Sequence, residues 1–150
     1  MKTDYLELME SLPVVYLSTL DSDGYPVTRA MLNMRNVKEY PHMSALYKQD
    51  PDQLIVYLTT NHKSAKVAEL QHNGKASLYY CDTVDFYGLL LRGNISIVTD
   101  MEVKRKIWVE GWEEMYYPEG VASEDFTVLK FVPDQLKAYS DLSVVTETIL

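Results

Sequence analysis

The sequence predicts a mainly β fold: a small antiparallel barrel, closed or partly closed, with helices packed outside it. Three observations carry that expectation. Apolar runs rich in Val, Leu, Ile and Tyr recur along the chain at strand length. Most are joined by connections too short for a helical crossover, so neighbours in sequence should pair antiparallel. Helical spacing of apolar residues is confined to a few stretches, too few to alternate regularly with the strands.

The elements follow in order. Tyr5, Leu6, Leu8, Met9 and Leu12 recur at helical intervals over residues 2–12, and Pro13 ends that helix. Val14 to Leu20 is a strong strand. Asp21-Ser22-Asp23-Gly24 is a tight turn, with Gly24 free to take positive φ. Tyr25 to Met34 alternates and returns as the partner strand, with Pro26 near its edge end and Arg29 in its middle. Residues 36–53 are weakly periodic and contain Pro41 and Pro51, which predicts a loop with at most a short strand or turn.

Leu54 to Thr60 is the next apolar strand. It turns polar at Asn61-His62-Lys63, and from Ser64 the spacing becomes helical through Val67 and Leu70, with Asn73-Gly74 as a stop. Lys75 to Asp82 and Phe86 to Val98 form two more strands around a short Thr83-Val84-Asp85 loop, with Gly88 and Gly93 at bends or bulges. Asp100 caps a second helical region through Met101, Val103, Ile107, Trp108 and Trp112, which Tyr117-Pro118-Glu119-Gly120 breaks. Phe126 to Val132 is a strand, Pro133-Asp134 a turn, and Gln135 to Ser140 a further segment. The tail from Asp141 has no evident partner and is expected to fray or cover a neighbour.

Composition bounds the function. At 150 residues the chain suits one domain over 1–150 with a real core. A formal net charge of −8 argues against nucleic acid and against an anionic membrane surface as partners. No apolar run reaches membrane-spanning length and the N-terminus lacks a signal-peptide core, so a cytoplasmic location is expected. Cys81 is the single cysteine, which excludes an internal disulfide and fits a packing role. His42, His62 and His72 are scattered without metal-ligand spacing, so no metal site is expected; His62 falls in the polar stretch between Thr60 and Ser64. The adjacent acids Glu113-Glu114 and Glu124-Asp125 do not face each other on a helix and make no carboxylate dyad. Trp108 and Trp112, four apart, would share one helix face. No catalytic acid, base or nucleophile can be named.

The stretch from Leu54 to Leu70 carries the strongest functional signal. A helix start presents free amides and the positive end of the helix dipole. Thr59, Thr60 and Ser64 add hydroxyls, and Lys63 and Lys66 add charge, a set able to hold a phosphate. The plainer alternative is Ser64 as an N-cap with two surface lysines. Arg29, among Val27, Ala30, Met31 and Leu32, needs either a partner anion or an outward face.

Two segments, Ser18-Thr19-Leu20-Asp21-Ser22-Asp23-Gly24-Tyr25-Pro26-Val27-Thr28-Arg29-Ala30-Met31 and Leu58-Thr59-Thr60-Asn61-His62-Lys63-Ser64-Ala65-Lys66-Val67, together resemble the pyridoxamine 5'-phosphate oxidase-like proteins. These are split β-barrel flavoproteins, and the chain is similar above all to their short, general-stress-protein branch. Residues 108–139, with the Tyr117-Pro118-Glu119-Gly120 break, extend the resemblance over most of the chain. It implies FMN at a homodimer interface and flavin oxidoreductase chemistry. By position, Arg29 and Lys66 would bind the flavin phosphate, Thr59, Thr60 and Ser64 would donate to it, and the backbone of Ala30, Met31 and Leu32 would follow the isoalloxazine edge. The chain departs from full pyridoxamine phosphate oxidases at Ala65, where they carry Arg, and at Met34, where they carry Lys. Their C-terminal substrate Arg and His have no counterpart, so oxidation of pyridoxamine phosphate itself is not expected. The alternative is a non-catalytic barrel dimer that binds another ligand or none.

Overall fold

The computed structural model describes residues 2–140 and 142–149, with side chains from Tyr5 onward. Helix α1 (Lys2–Ser11) leads into β1 (Val14–Leu20) and β2 (Pro26–Leu32), the first hairpin, with Leu17 opposite Arg29. One Asp21 carboxylate oxygen accepts from the backbone N–H groups of Asp23 and Tyr25, each at 2.9 Å, and Gly24 takes φ 85° to complete the reversal. After a loop come β3 (Val56–Asn61), α3 (Ala65–His72), β4 (Lys75–Asp82) and β5 (Tyr87–Val98). Between β2 and β3 the only regular elements are a 3-10 turn at Pro41–Met43 and the single-turn α2 (Ser44–Tyr47); no strand forms there.

The sheet path is β2–β1–β4–β5–β6–β3, all antiparallel, and β7 (Ser143–Thr148) joins it on β6 (Phe126–Ser140). Strand β6 explains how the sheet curls. One edge follows β5 throughout, while the other pairs β3 through Phe131 and β7 from Gln135. Strands β2 and β3, at the two ends of the path, come into contact without pairing. The fold is a split β-barrel with flanking helices.

Three expectations are corrected. Pro133-Asp134 is no turn: β6 runs straight through it, with a register shift opposite Arg92 and Gly93. Proline has no N–H for a ladder and is tolerated at a bulge. Gly93 makes the bulge possible, since a Cβ there would stand 2.2 Å from the Val132 carbonyl oxygen. The tail is not free either. Residues 143–148 pair with β6 through backbone bonds, and only Asp141 and Leu150 of that segment lie outside the described residues. Finally, the second helical region is two short helices, α4 (Met101–Ile107) and α5 (Trp112–Met115), separated at Gly111 with φ 97°. The Asp100 cap is present, its carboxylate accepting from Glu102 N–H at 2.9 Å. Trp108 and Trp112 therefore share no helix face, though their rings still meet edge to face at 5.9 Å.

The core has two parts. Inside the barrel Met9, Leu17, Leu58, Leu78, Tyr80, Leu89, Leu91 and Phe131 are fully enclosed. Outside β3 and β6, Met34, Met43, Ile107, Phe126 and Val128 form a second cluster under α2, α4 and α5. Asn33 ties α1 to the barrel, donating to the carbonyls of Met9 and Leu12 at 2.7 and 2.8 Å while accepting from the Tyr80 hydroxyl at 3.2 Å. Among the described residues no helix is long and apolar enough to cross a membrane.

Candidate functional site

The C-terminal end of β3 and the first turn of α3 form a polar cradle. The strand alternates, so Thr60 is buried while Thr59, opposite Val128, is half-buried. Three residues past β3 the chain turns into α3, which packs against β1 and buries Val67 and Leu70. Ser64 occupies the N-cap position, but its side chain makes no cap hydrogen bond. Its hydroxyl instead accepts from Thr60 Oγ1 at 3.4 Å, and Lys66 Nζ donates to the same Thr60 oxygen at 3.0 Å. Burial lowers the Lys66 pKa, the Arg29 charge lowers it further, and Glu69 opposes both. Lys63 and His62 are exposed.

Arg29 stands on the inner face of β2 and not on the outward one, with its side chain 21% exposed. Its guanidinium donates to Thr19 Oγ1 at 2.6 Å, to the Val27 carbonyl at 3.1 Å and to Glu69 Oε1 at 3.0 Å. The Thr19 hydroxyl in turn donates to Glu69 Oε1 at 3.2 Å. The structure thus links Thr60, Ser64 and Lys66 by hydrogen bonds and pairs Arg29 with Glu69, one helical turn beyond Lys66. Thr59 is not part of these contacts.

Ala30, Met31 and Leu32 continue β2 away from Arg29. Ala30 and Leu32 are exposed, whereas the Met31 side chain is buried in the barrel. Strand β2 ends the sheet path, so its outer edge pairs no other strand among the described residues. Only backbone groups and the outward side chains can meet a ligand there. Behind the cradle, Tyr117 donates its hydroxyl to the Thr60 carbonyl at 3.0 Å, and its ring sits 5.0 Å from Phe126. Burial pushes the Tyr117 phenol up to about 12.

Sequence reasoning missed Thr19, Glu69 and Tyr117. Signals for the first two existed. Thr19 is two residues beyond Leu17, the partner of Arg29, and so is its diagonal neighbour across the hairpin. Glu69 is three residues after Lys66, on the same helix face. Tyr117 gave no local signal, because its partner Thr60 lies 57 residues away in the chain.

Comparison with known proteins decides the family. The model for pyridoxamine 5'-phosphate oxidase matches residues 1–140. The chain belongs to the pyridoxamine 5'-phosphate oxidase family. A family structure from Clostridium acetobutylicum, a protein related to general stress protein 26 of B. subtilis, is 31% identical, covering 99% of this chain and 94% of its own, with a TM-score of 0.80. The same fold occurs in a pyridoxamine 5'-phosphate oxidase-related, FMN-binding protein from Nostoc punctiforme, at 14% identity over 99% of this chain and 94% of that one, TM-score 0.58. It occurs also in a heme-binding protein from Mycobacterium smegmatis, at 15% identity over 95% of this chain and 56% of that one, TM-score 0.66. No functionally curated protein matches the sequence. Within the family frame, Ala65 is exposed and Met34 is fully buried in the second cluster, so neither position adds charge to the cradle.

Proposed function

We propose that the chain binds FMN as a homodimer and serves as a cytoplasmic flavin-dependent oxidoreductase. The observation that carries this reading is that Arg29, from mid-β2, pairs at 3.0 Å with Glu69, which lies one turn after Lys66 on the same face of α3. Lys66 sits on the Thr60 hydroxyl, which donates to Ser64, while Arg29 sits on the Thr19 hydroxyl and on Glu69. That donor set fits a phosphate. In this reading Arg29, Thr60, Ser64 and Lys66 hold the phosphate, with Thr59 at its margin. The edge of β2 at Ala30, Met31 and Leu32 follows the isoalloxazine ring. A bound flavin would supply the redox chemistry, while these residues position it and balance its charge.

A homodimer is supported by the outer sheet face. Tyr16, Tyr79 and Leu90 stand in one row across β1, β4 and β5, with Tyr16 40% exposed. With Ser18, Thr28 and Tyr139 they line a shallow groove of about 420 Å³. A partly aromatic patch of this kind suits an interface between copies. The non-catalytic alternative draws on Glu69, which already satisfies Arg29 and reduces the charge available to a phosphate.

Titration with FMN and with riboflavin, followed by flavin fluorescence, tests the reading. FMN should bind more tightly than riboflavin, because only FMN carries a phosphate. Equal affinities would remove the phosphate from the cradle. A purified protein with haem absorption in place of a flavin band would favour the chemistry of the mycobacterial neighbour.

A further inference from the structure

We propose that Glu69 sets the net charge of the cradle and thereby limits how tightly it holds a phosphate. The inference rests on the FMN reading above and concerns a residue that reading does not use.

Glu69 is part of a closed ring of contacts. Its Oε1 accepts one Arg29 N–H at 3.0 Å and the Thr19 hydroxyl at 3.2 Å, while the Thr19 oxygen accepts another Arg29 N–H at 2.6 Å. The ring is largely enclosed: the Glu69 side chain is 13% exposed and that of Arg29 21%. Charges so placed are screened less than surface ones. Lys66 lies one helical turn before Glu69, on the same face of α3, and carries its ammonium on Thr60. The cradle thus holds two cations and one carboxylate, a balance of one positive charge.

A flavin phosphate brings about 1.5 to 2 negative charges at neutral pH. Placed between Arg29 and Lys66 it gains from both cations and is opposed by Glu69. The carboxylate has two separable effects. Its oxygen fixes the direction of Arg29 through hydrogen bonds, and its charge subtracts from anion affinity. Glutamine separates them. The amide oxygen of Gln can accept the same two hydrogen bonds, so Glu69→Gln keeps the ring and removes only the charge.

The experiment titrates wild type and Glu69→Gln with FMN and with riboflavin at low and at moderate salt. A charge at this range is worth on the order of a tenfold change in affinity. Glu69→Gln should therefore bind FMN about tenfold more tightly, with a steeper loss on adding salt, and should bind riboflavin as wild type does. Circular dichroism should be unchanged. Wild type that prefers FMN to riboflavin, with a variant that binds FMN no more tightly, overturns the inference and leaves the FMN reading standing. Wild type that binds neither flavin overturns both.

Discussion

Two arginines six residues apart serve this chain in opposite ways. Arg35 is 6% exposed. It donates from Nε and Nη2 to a single backbone oxygen, that of Ile55, at 2.9 and 2.6 Å, and lies 3.8 Å over the Tyr47 ring. Burial lowers its pKa, and neighbouring Tyr47, Tyr80 and Glu10 resist that fall. Among the described residues the Arg29 side chain, 21% exposed, is held by Thr19, Val27 and Glu69. Ile55 precedes β3 and Thr60 lies near its end, so the two sites are separated by about 16 Å of extended chain. The difference teaches how to sort buried charge. A guanidinium locked onto backbone and an aromatic face holds the fold together. One held mainly by side chains can exchange those partners for a ligand.

The largest effect expected from this contrast is on stability. Arg35→Ala removes two donors from Ile55 and a stacking partner from Tyr47, and should destabilise the protein by about 3 kcal/mol in denaturant unfolding. The FMN affinity of the folded fraction should stay within a factor of about two, because Arg35 is remote from the cradle. A large loss of affinity would erase the distinction between the two arginines.

Arg29→Ala should do the reverse. Losing a charge-assisted contact to phosphate costs about 1.5–3 kcal/mol, or roughly tenfold to a hundredfold in FMN affinity. Its pair with Glu69 is largely enclosed but still reaches solvent, so stability should fall by less than for Arg35→Ala, about 1–2 kcal/mol. Chemical unfolding beside FMN titration checks both numbers on one preparation.

Tyr117→Phe sharpens the contrast at the cradle wall. Loss of the hydrogen bond to the Thr60 carbonyl should cost about 1 kcal/mol. Because folding raises the phenol from 10.0 to about 12, the unfolded chain releases this proton first as pH climbs between those values. Wild-type stability should therefore fall over that window, and Tyr117→Phe should fall less steeply. An identical slope would mean that Tyr117 is not held by burial.

The same distinction governs what the sequence discloses. The β1–β2 hairpin was legible because Asp21 and Gly24 encode its turn locally and Val14 to Leu20 encode its strand. The bulge at Pro133-Asp134 was not, since those two residues read as a turn unless Gly93, forty residues away, is known to lie opposite. Strand β7 was hidden for a different reason: Val144 and Val145 remain exposed, and the strand is fixed by backbone pairing. At the site, Arg29 and Lys66 were visible by residue type and by their places in a strand and a first helical turn. The carboxylate that pairs with Arg29 was not, because it depends on α3 lying across β1. Trp108 and Trp112 misled for want of one backbone angle at Gly111.

The central claim is that a phosphate rests between Arg29 and Lys66. Lys66→Ala tests it most directly, since among the described residues its side-chain hydrogen bond goes to Thr60 alone and its charge is disfavoured by burial. Folding stability should be unchanged or slightly higher, because the variant loses a cation from the positive end of a helix. FMN affinity should fall roughly tenfold to a hundredfold, while riboflavin should bind variant and wild type alike. Equal FMN affinity in the two proteins would take Lys66 out of the site and contradict the account.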